Sequence, residues 1–442
     1  MIRRRWWGAL ATLLLLAPVF LLQLDQVPFH PDESSLLYQS RDLELALHST
    51  PSLFDYTQWE TDPAVAYRVL NAPLAKYVLA LGRGAAGYGP ASVDVDWDWG
   101  LGWQQNLAAG AMPPAGGLLG ARAASALLAL LAAPVLWLAG RRLGGNWAAW
   151  GAAGSYGLNA LVLLHGRRAM AEGTLLFAAS LAVLTLLSAN RRPLLAGAAG
   201  GLALAAKHSA LPLAISAWLA ALLTRSTANS GPVSAQWRRL ALALAGTVLV
   251  VLVLSPFMWS NPFGAVRATV QARSQLLAEQ VRLTEELAPD RLLNRPDERL
   301  AAMVGHLFFL PVQLREIGNY DLALTPAYQQ FQSSWRGQLL RGVVAGGILL
   351  GLCLLGVALS TVGWRKLTME SRWQRTVLLV ATVLQGITLL LANPLPIQRY
   401  YLPLVPLVCL WAGIGITEIV RGGRQVLTGR RTNHEVAKVT SV

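Results

Sequence analysis

The sequence predicts an all-α, polytopic integral membrane protein with about ten transmembrane helices, within limits of roughly nine to thirteen. Three observations carry this. Of 442 residues, 54% are hydrophobic and 14% charged, with a mean hydropathy of +0.43, a balance that excludes a water-soluble pair of domains, a disordered chain, collagen and a disulfide scaffold. Apolar runs of the ~18–20 residues needed to cross a bilayer recur along the chain. The basic residues that break those runs gather on one side of the resulting path.

The expected spans lie near 6–24, 118–139, 147–164, 170–189, 193–206, 209–223, 239–258, 338–361, 375–392 and 400–420. Met1 to Leu24 has the basic start and apolar stretch of a signal peptide, but no small-residue cleavage site, so it reads as a retained first helix. Cationic clusters at Arg3 to Arg5, Arg141-Arg142, Arg191-Arg192, Arg225 with Arg238-Arg239, Arg365 to Arg375, and Arg421 to Lys438 all fall on one face. By the positive-inside rule that face is the cytoplasm of a plasma (inner) membrane, and both termini lie there. The net charge of +14 is therefore topology rather than nucleic-acid binding. Residues 1–420 read as one transmembrane catalytic domain and 421–442 as a short basic tail, with segments 25–117 and 259–337 exoplasmic. Cys353 and Cys409 fall inside apolar spans and read as small hydrophobes.

The first long loop holds Asp25, Asp32, Glu33, Asp42, Glu44, Asp55, Glu60, Asp62, Asp94, Asp96 and Asp98 against Arg41, Arg68, Lys76 and Arg83, a net charge of −7. Within it, Ser34 to His48 is expected to place Leu36, Leu37, Leu43 and Leu47 on one helical face, and Ala72 to Leu81 forms a second apolar helix. Both are too short to span, so both belong in the interface. The second loop balances eight acids against eight bases, and Val266 to Leu287 has amphipathic spacing suited to the membrane surface. Trp97, Trp99, Trp103, Trp259 and Trp335 are expected mostly in the interfacial belt.

Four basic features oppose the charge rule by lying at exoplasmic ends of spans: Arg167-Arg168, Lys207 beside His208, Arg341, and Arg399 before Tyr400-Tyr401. Arginine grips phosphate bidentately, so three of these suggest a site for an anionic lipid-phosphate headgroup. Arg341 is expected only to reach lipid headgroups. The adjacent carboxylates of His30-Pro31-Asp32-Glu33 offer a general base for a hydroxyl. The same tetrapeptide is also an ordinary helix start, with proline at the first position and acids in the first turn. Glu172, an acid near the head of a span, needs a partner or a role, and an ion pair with Arg167 is the structural alternative. There is no Walker A sequence, Rossmann glycine fingerprint, zinc-finger spacing or H-E-x-x-H.

In order, Asp32-Glu33, Pro73-Leu74-Ala75-Lys76, Arg167-x-Ala169-x-x-Glu172, Gly201 to Lys207, and Arg399-Tyr400-x-x-Pro403-x-x-Pro406 resemble the GT-C glycosyltransferases, in the branch of the protein O-mannosyltransferases and the lipid A aminoarabinose transferase. The resemblance runs from residue 25 to 420. It implies transfer of a sugar from a polyprenyl-phosphate donor to a hydroxyl acceptor on the exoplasmic face, usually with inversion. It implies Asp32 as base, Glu33 as its neighbour and Glu172 as second acid. Arg167, Lys207 and Arg399 would meet the donor phosphate with Tyr400 nearby, and His30, Lys76 and His208 would contact substrate or a metal.

Two departures bear on this. The mannosyltransferase form of the second element, His-Pro-Pro-Leu, is Asn71-Ala72-Pro73-Leu74 here, so no histidine role carries over. Glu172 stands where the family commonly has Asp, which leaves use of a divalent cation such as Mg or Mn open. A short tail in place of a further soluble domain points to a compact bacterial enzyme of the cell envelope. The alternatives are a lipid-linked sugar flippase or transporter, which should show inverted repeats and polar groups near the midplane, and an inactive scaffold of an envelope polysaccharide system.

Overall fold

The apolar runs fold as helices, and among the described residues there is no strand. In this computed structural model the described residues are 6–48, 51–223, 233–312, 320–363, 365 and 367–439; the expected basic clusters at Arg3 to Arg5 and at Arg225 lie outside them. The chain opens with α1 (Trp7–Leu21). The first loop folds into α2 (Pro31–Gln39), α3 (Asp42–Leu47), α4 (Pro63–Leu70), α5 (Pro73–Ala85) and α6 (Trp103–Ala108). Then come α7 (Ala115–Gly144), α8 (Asn146–Gly157), α9 (Ala160–His165), α10 (Ala171–Leu186), α11 (Pro193–Ala206), α12 (Leu211–Leu223) and α13 (Val233–Leu254). The second loop holds α14 (Pro262–Leu287), α15 (Pro296–Val304), α16 (Asp321–Ser333) and α17 (Trp335–Gln338), and the chain finishes through α18 (Gly342–Val362), α19 (Met369–Ala392) and α20 (Val405–Val439). Proline begins α2, α4, α5, α11, α14 and α15. Its missing N–H is harmless there, because the first turn has no intrahelical acceptor for it.

Among the described residues, five helical segments are long and apolar enough to cross a membrane: α7, α13, α18, α19 and Gln398–Gly422, which joins a 3-10 turn to the head of α20. Four shorter apolar helices, α1, α10, α11 and α12, stand at other expected spans. The expected span at 147–164 is broken. Asn159 leaves the helical conformation, and its side chain accepts from the Leu161 N–H at 3.0 Å to start α9. Ser34 to His48 is likewise two helices, interrupted at Ser40-Arg41, and only Leu37 of the expected apolar face is buried.

Helix α7 is central: α1, α5, α8 and α10 pack on it. Helix α11 packs on α13, and α20 on both α8 and α18. The shared core includes Leu136, Tyr156, Leu175, Leu402 and Trp411. Small residues permit a close crossing of α18 and α20, since a Cβ on Gly356 would strike the Trp411 carbonyl and one on Gly415 the Leu352 carbonyl. Helix α14 turns a stripe of Ala265, Ala268 and Ala272 onto Val69 and Phe257, so part of its amphipathic pattern is spent on protein. Trp97 is not a belt residue: it is 1% exposed, packed against Phe29 and Trp103.

The heads of α2 and α10, the tail of α11 and the 3-10 turn Gln398–Leu404 meet at one end of the bundle, with α5 and α14 beside them. The tails of α7 and α10 and the head of α19 lie at the other.

Candidate active site

Helix α2 starts as its residue pattern dictates. His30 is extended at the N-cap, its Nδ1 accepts from the Asp32 N–H at 3.1 Å, and Glu33 Oε2 accepts from the His30 N–H at 3.0 Å. This reciprocal cap satisfies two backbone donors. With Nδ1 accepting, the ring proton sits on Nε2, 3.3 Å from the Tyr320 hydroxyl oxygen. The imidazole is 1% exposed, so the expected substrate or metal contact is instead a buried helix cap.

The cap sends the two neighbouring carboxylates in opposite directions. Glu33 is fully buried, and both its oxygens lie 2.8 Å from the Arg122 guanidinium; Oε1 also accepts from the Ala169 N–H at 2.8 Å. Burial alone would raise its pKa, but Arg122, Arg168 and the Ala169 amide together hold it below the usual 4.5. Asp32 remains 25% exposed and forms an ion pair with Arg399 from the turn before α20.

Glu172 and Lys207, expected as a second acid and a phosphate cation, bond each other at 2.6 Å; the Arg167 pairing does not form. Glu172 is 1% exposed and Lys207 17%, and the second oxygen of Glu172, Oε2, is buried without a hydrogen-bond partner. Lys207 follows the last turn of α11, where the helix dipole favours a cation. The Tyr400 ring lies between the two cations, 5.6 Å from Lys207 Nζ and 5.9 Å from the Arg399 guanidinium. Asp32, Arg399, Tyr400, Lys207 and Glu172 thus form a run of contacts at this end of the bundle, with an acid at each outer position and two cations on the one ring.

Arg167 is spent elsewhere. It donates to the carbonyls of Phe20, Leu22 and Gln23 at 2.9, 2.5 and 3.0 Å, closing the tail of α1. Arg168 donates to the Pro28 carbonyl at 3.0 Å. Arg341, expected to reach lipid, is buried and donates to the His306 carbonyl at 2.6 Å. Lys76 is 1% exposed, held 3.4 Å from Asp42 and 3.0 Å from the Tyr67 carbonyl, so it braces α5 against α3 and α4 rather than opening to substrate. His208 sits in the turn after α11, where burial, with Arg273 and Lys76 nearby, pushes its pKa down to about 3 and keeps the imidazole neutral.

Three residues at this end escape sequence reasoning. Arg122, one turn and more inside an apolar run, is the buried clamp on Glu33. Arg273 reaches in from α14, donates to Asn71 Oδ1 at 3.4 Å and leaves Nε without a partner, and burial lowers its pKa. Its only signal is its place beside the Ala265, Ala268, Ala272 stripe. Asp96 accepts from the Tyr67 hydroxyl at 2.6 Å and from the Trp97 N–H at 2.8 Å. Burial raises its pKa, and the charge of Asp32 adds to the effect.

Among the described residues no three or more His, Cys, Asp or Glu side chains stand together as a metal site. Asp32, Glu33 and Glu172 are each matched by Arg399, Arg122 and Lys207, so their charge is already met within the protein. This donor set does not fit the divalent cation that the sequence leaves open.

No family model and no curated protein matches the chain. Solved structures do. The chain is similar to the Archaeoglobus fulgidus oligosaccharyltransferase in complex with Zn and sulfate, at 14% identity and a TM-score of 0.49 over 92% of this chain and 48% of that one. It is similar to ArnT from Cupriavidus metallidurans bound to undecaprenyl phosphate, at 16% identity and a TM-score of 0.47 over 93% and 60%. It is similar, too, to the S. cerevisiae protein O-mannosyltransferase Pmt1-Pmt2 complex bound to its sugar donor, at 17% identity and 0.42 over 60% and 34%. The chain spans about half the length of the oligosaccharyltransferase.

Proposed function

We propose that the protein is a membrane glycosyltransferase that moves a sugar from a polyprenyl-phosphate donor to a hydroxyl acceptor on the exoplasmic face of a bacterial inner membrane. About ten crossings, with both termini cytoplasmic, bring the Asp32 end of the bundle to that face. The observation that carries the reading is the line from Asp32 through Arg399, Tyr400 and Lys207 to Glu172. A carboxylate that can serve as base, next to cations suited to a phosphate leaving group, supports the reading.

In the reaction, the Asp32 carboxylate takes the acceptor hydroxyl proton as that oxygen bonds to the sugar's anomeric carbon. The carbon's bond to the phosphate oxygen breaks, and the electron pair leaves with the lipid phosphate. Arg399, Lys207 and Arg273 meet the charge that develops there, in place of the Arg167 that the motif alone suggests. A single displacement inverts the anomeric centre. Arg399 pairs with Asp32 in the substrate-free state, so a donor phosphate that draws Arg399 to itself also releases the base. Glu33, fixed by Arg122, holds the α2 head from which Asp32 projects.

The test is transfer of radiolabelled sugar from a panel of polyprenyl-phosphate sugars by purified protein in proteoliposomes, with crude envelope acceptors. Transfer that disappears in Asp32→Asn supports the reading and names the donor. Full activity of Asp32→Asn overturns the base assignment, and bound donor without transfer by wild type turns the reading toward a flippase or scaffold.

A further inference from the structure

At the far end of the bundle lies a cavity of about 500 Å³ that plays no part in the chemistry above. Arg142 comes from the last turn of α7, Ser188, Arg191 and Arg192 from the turn between α10 and α11, and Thr368 and Glu370 from the head of α19. Three cationic segments that the sequence presents separately therefore open onto one space. Glu172 is in the first turn of α10 and Ser188 just past its last, and α10 has 16 residues, so about 24 Å of helix separates the two ends.

We infer that this cavity binds the phosphate of an anionic phospholipid headgroup at the cytoplasmic surface. Three guanidinium groups face one carboxylate there, which leaves an excess of positive charge. Arg142 is set by Ser188 Oγ at 2.8 Å and the Leu184 carbonyl at 3.2 Å, so its position is prearranged. The side chain of Arg192 has no acceptor among the described residues. The Arg191–Glu370 pair, 3.2 Å apart, is 68% and 57% exposed, the kind of ion pair that contributes little and yields to a better anion. Every side chain lining the cavity is polar or charged, and none is aromatic. A nucleobase would find nothing to stack on, and an acyl chain would find no apolar wall.

The dimensions suit a bound headgroup, since ligand sites fall within ~300–1,000 Å³. Arginine forks match phosphate oxygens in pairs, and basic pockets between helices on the cytoplasmic side are where two-phosphate lipid headgroups lodge. The Thr368 and Ser371 hydroxyls, 2.9 Å apart at the α19 N-terminus, add polar groups beside the arginines. The inference stands apart from the glycosyltransferase reading, because none of these residues belongs to the Asp32 end.

The test is delipidated full-length protein in neutral detergent, with retention of added lipid followed by native mass spectrometry and thermal unfolding measured in parallel. Cardiolipin and phosphatidylglycerol are the lipid probes, phosphatidylcholine the zwitterionic control, and millimolar inorganic phosphate the soluble arm. Wild type is expected to retain cardiolipin and gain a higher Tm, with about tenfold weaker retention in Arg191→Gln/Arg192→Gln. A response to inorganic phosphate but to neither lipid keeps the phosphate chemistry and overturns the lipid as its source. Equal retention of cardiolipin by wild type and the double variant overturns the site. Should the double variant fail to fold, Glu370→Gln, which removes the competing carboxylate, must strengthen retention; unchanged or weaker retention there overturns the site as well.

Discussion

Lys207 Nζ lies 2.6 Å from Glu172 Oε1, so two residues that the motifs offer for opposite tasks, a phosphate cation and a second acid, form one ion pair. Glu172 is almost wholly buried and Lys207 partly exposed, which means the pair presents its cationic side outward. Breaking such a pair from one side leaves a buried charge uncompensated, whereas neutralising both sides removes the penalty. Lys207→Met is therefore expected to lose about 3–5 kcal/mol of stability. Lys207→Met/Glu172→Gln should recover the folded amount in membranes without recovering transfer. Size-exclusion yield alongside the transfer assay distinguishes the two effects, and recovery of transfer would remove Lys207 from the phosphate site.

Asp32→Asn is expected to lower kcat by about 10²–10⁴-fold, the range for loss of a general base, with the melting temperature little changed. Its side chain is 25% exposed, and its ion partner Arg399 is 13% exposed. A large fall in Tm with intact specific activity of the remaining protein would make Asp32 structural.

For Glu33 the expectation is reversed. Glu33→Gln strands Arg122 in the core, so the loss should be one of folded protein, about 3–5 kcal/mol, with an Arg122→Met/Glu33→Gln pair partly rescued. Because the folded pKa of Glu33 lies below 4.5, its contribution is fully present above that pH and is lost as pH falls through the folded value. Thermal melts between pH 7 and pH 3 should show an acid-side fall that Glu33→Gln lacks.

Asp96 carries the opposite sign. Its folded pKa is raised above 3.8, so its contribution is present at low pH and is lost as pH rises through the folded value. Asp96→Asn, which keeps an oxygen to accept from Tyr67, should flatten that arm of the stability profile. An unchanged profile would show that burial around Asp96 relaxes in solution.

Arg273→Gln removes a cation that no ordered motif contains. It is expected to raise KM for the polyprenyl-phosphate donor by about ten- to a hundredfold, the scale of one charge-assisted hydrogen bond, with Tm nearly unchanged. An unaltered donor KM would confine Arg273 to its bond with Asn71.

The helical class and the head of α2 were legible in the chain alone, because both depend on near neighbours. Apolar runs and proline positions specify helices locally, and His30-Pro31-Asp32-Glu33 contains its own cap within one turn. The break at Asn159 was not legible, since the surrounding residues are as apolar as a continuous span.

The motifs placed Asp32, Glu172, Lys207 and Arg399 in sequence order, but partners are another matter. Arg122 meets Glu33 across 89 residues and Arg399 meets Asp32 across 367. Arg167 and Arg273 look alike as letters; one is absorbed by the carbonyls at the tail of α1, and the other is carried by α14 to the mouth of the site. A guanidinium takes whichever anion or carbonyl the packed helices bring within hydrogen-bond reach. Sequence thus determined the helices, their apolar faces and the stock of charges, while tertiary packing decided which charges cancel inside and which remain to meet a substrate.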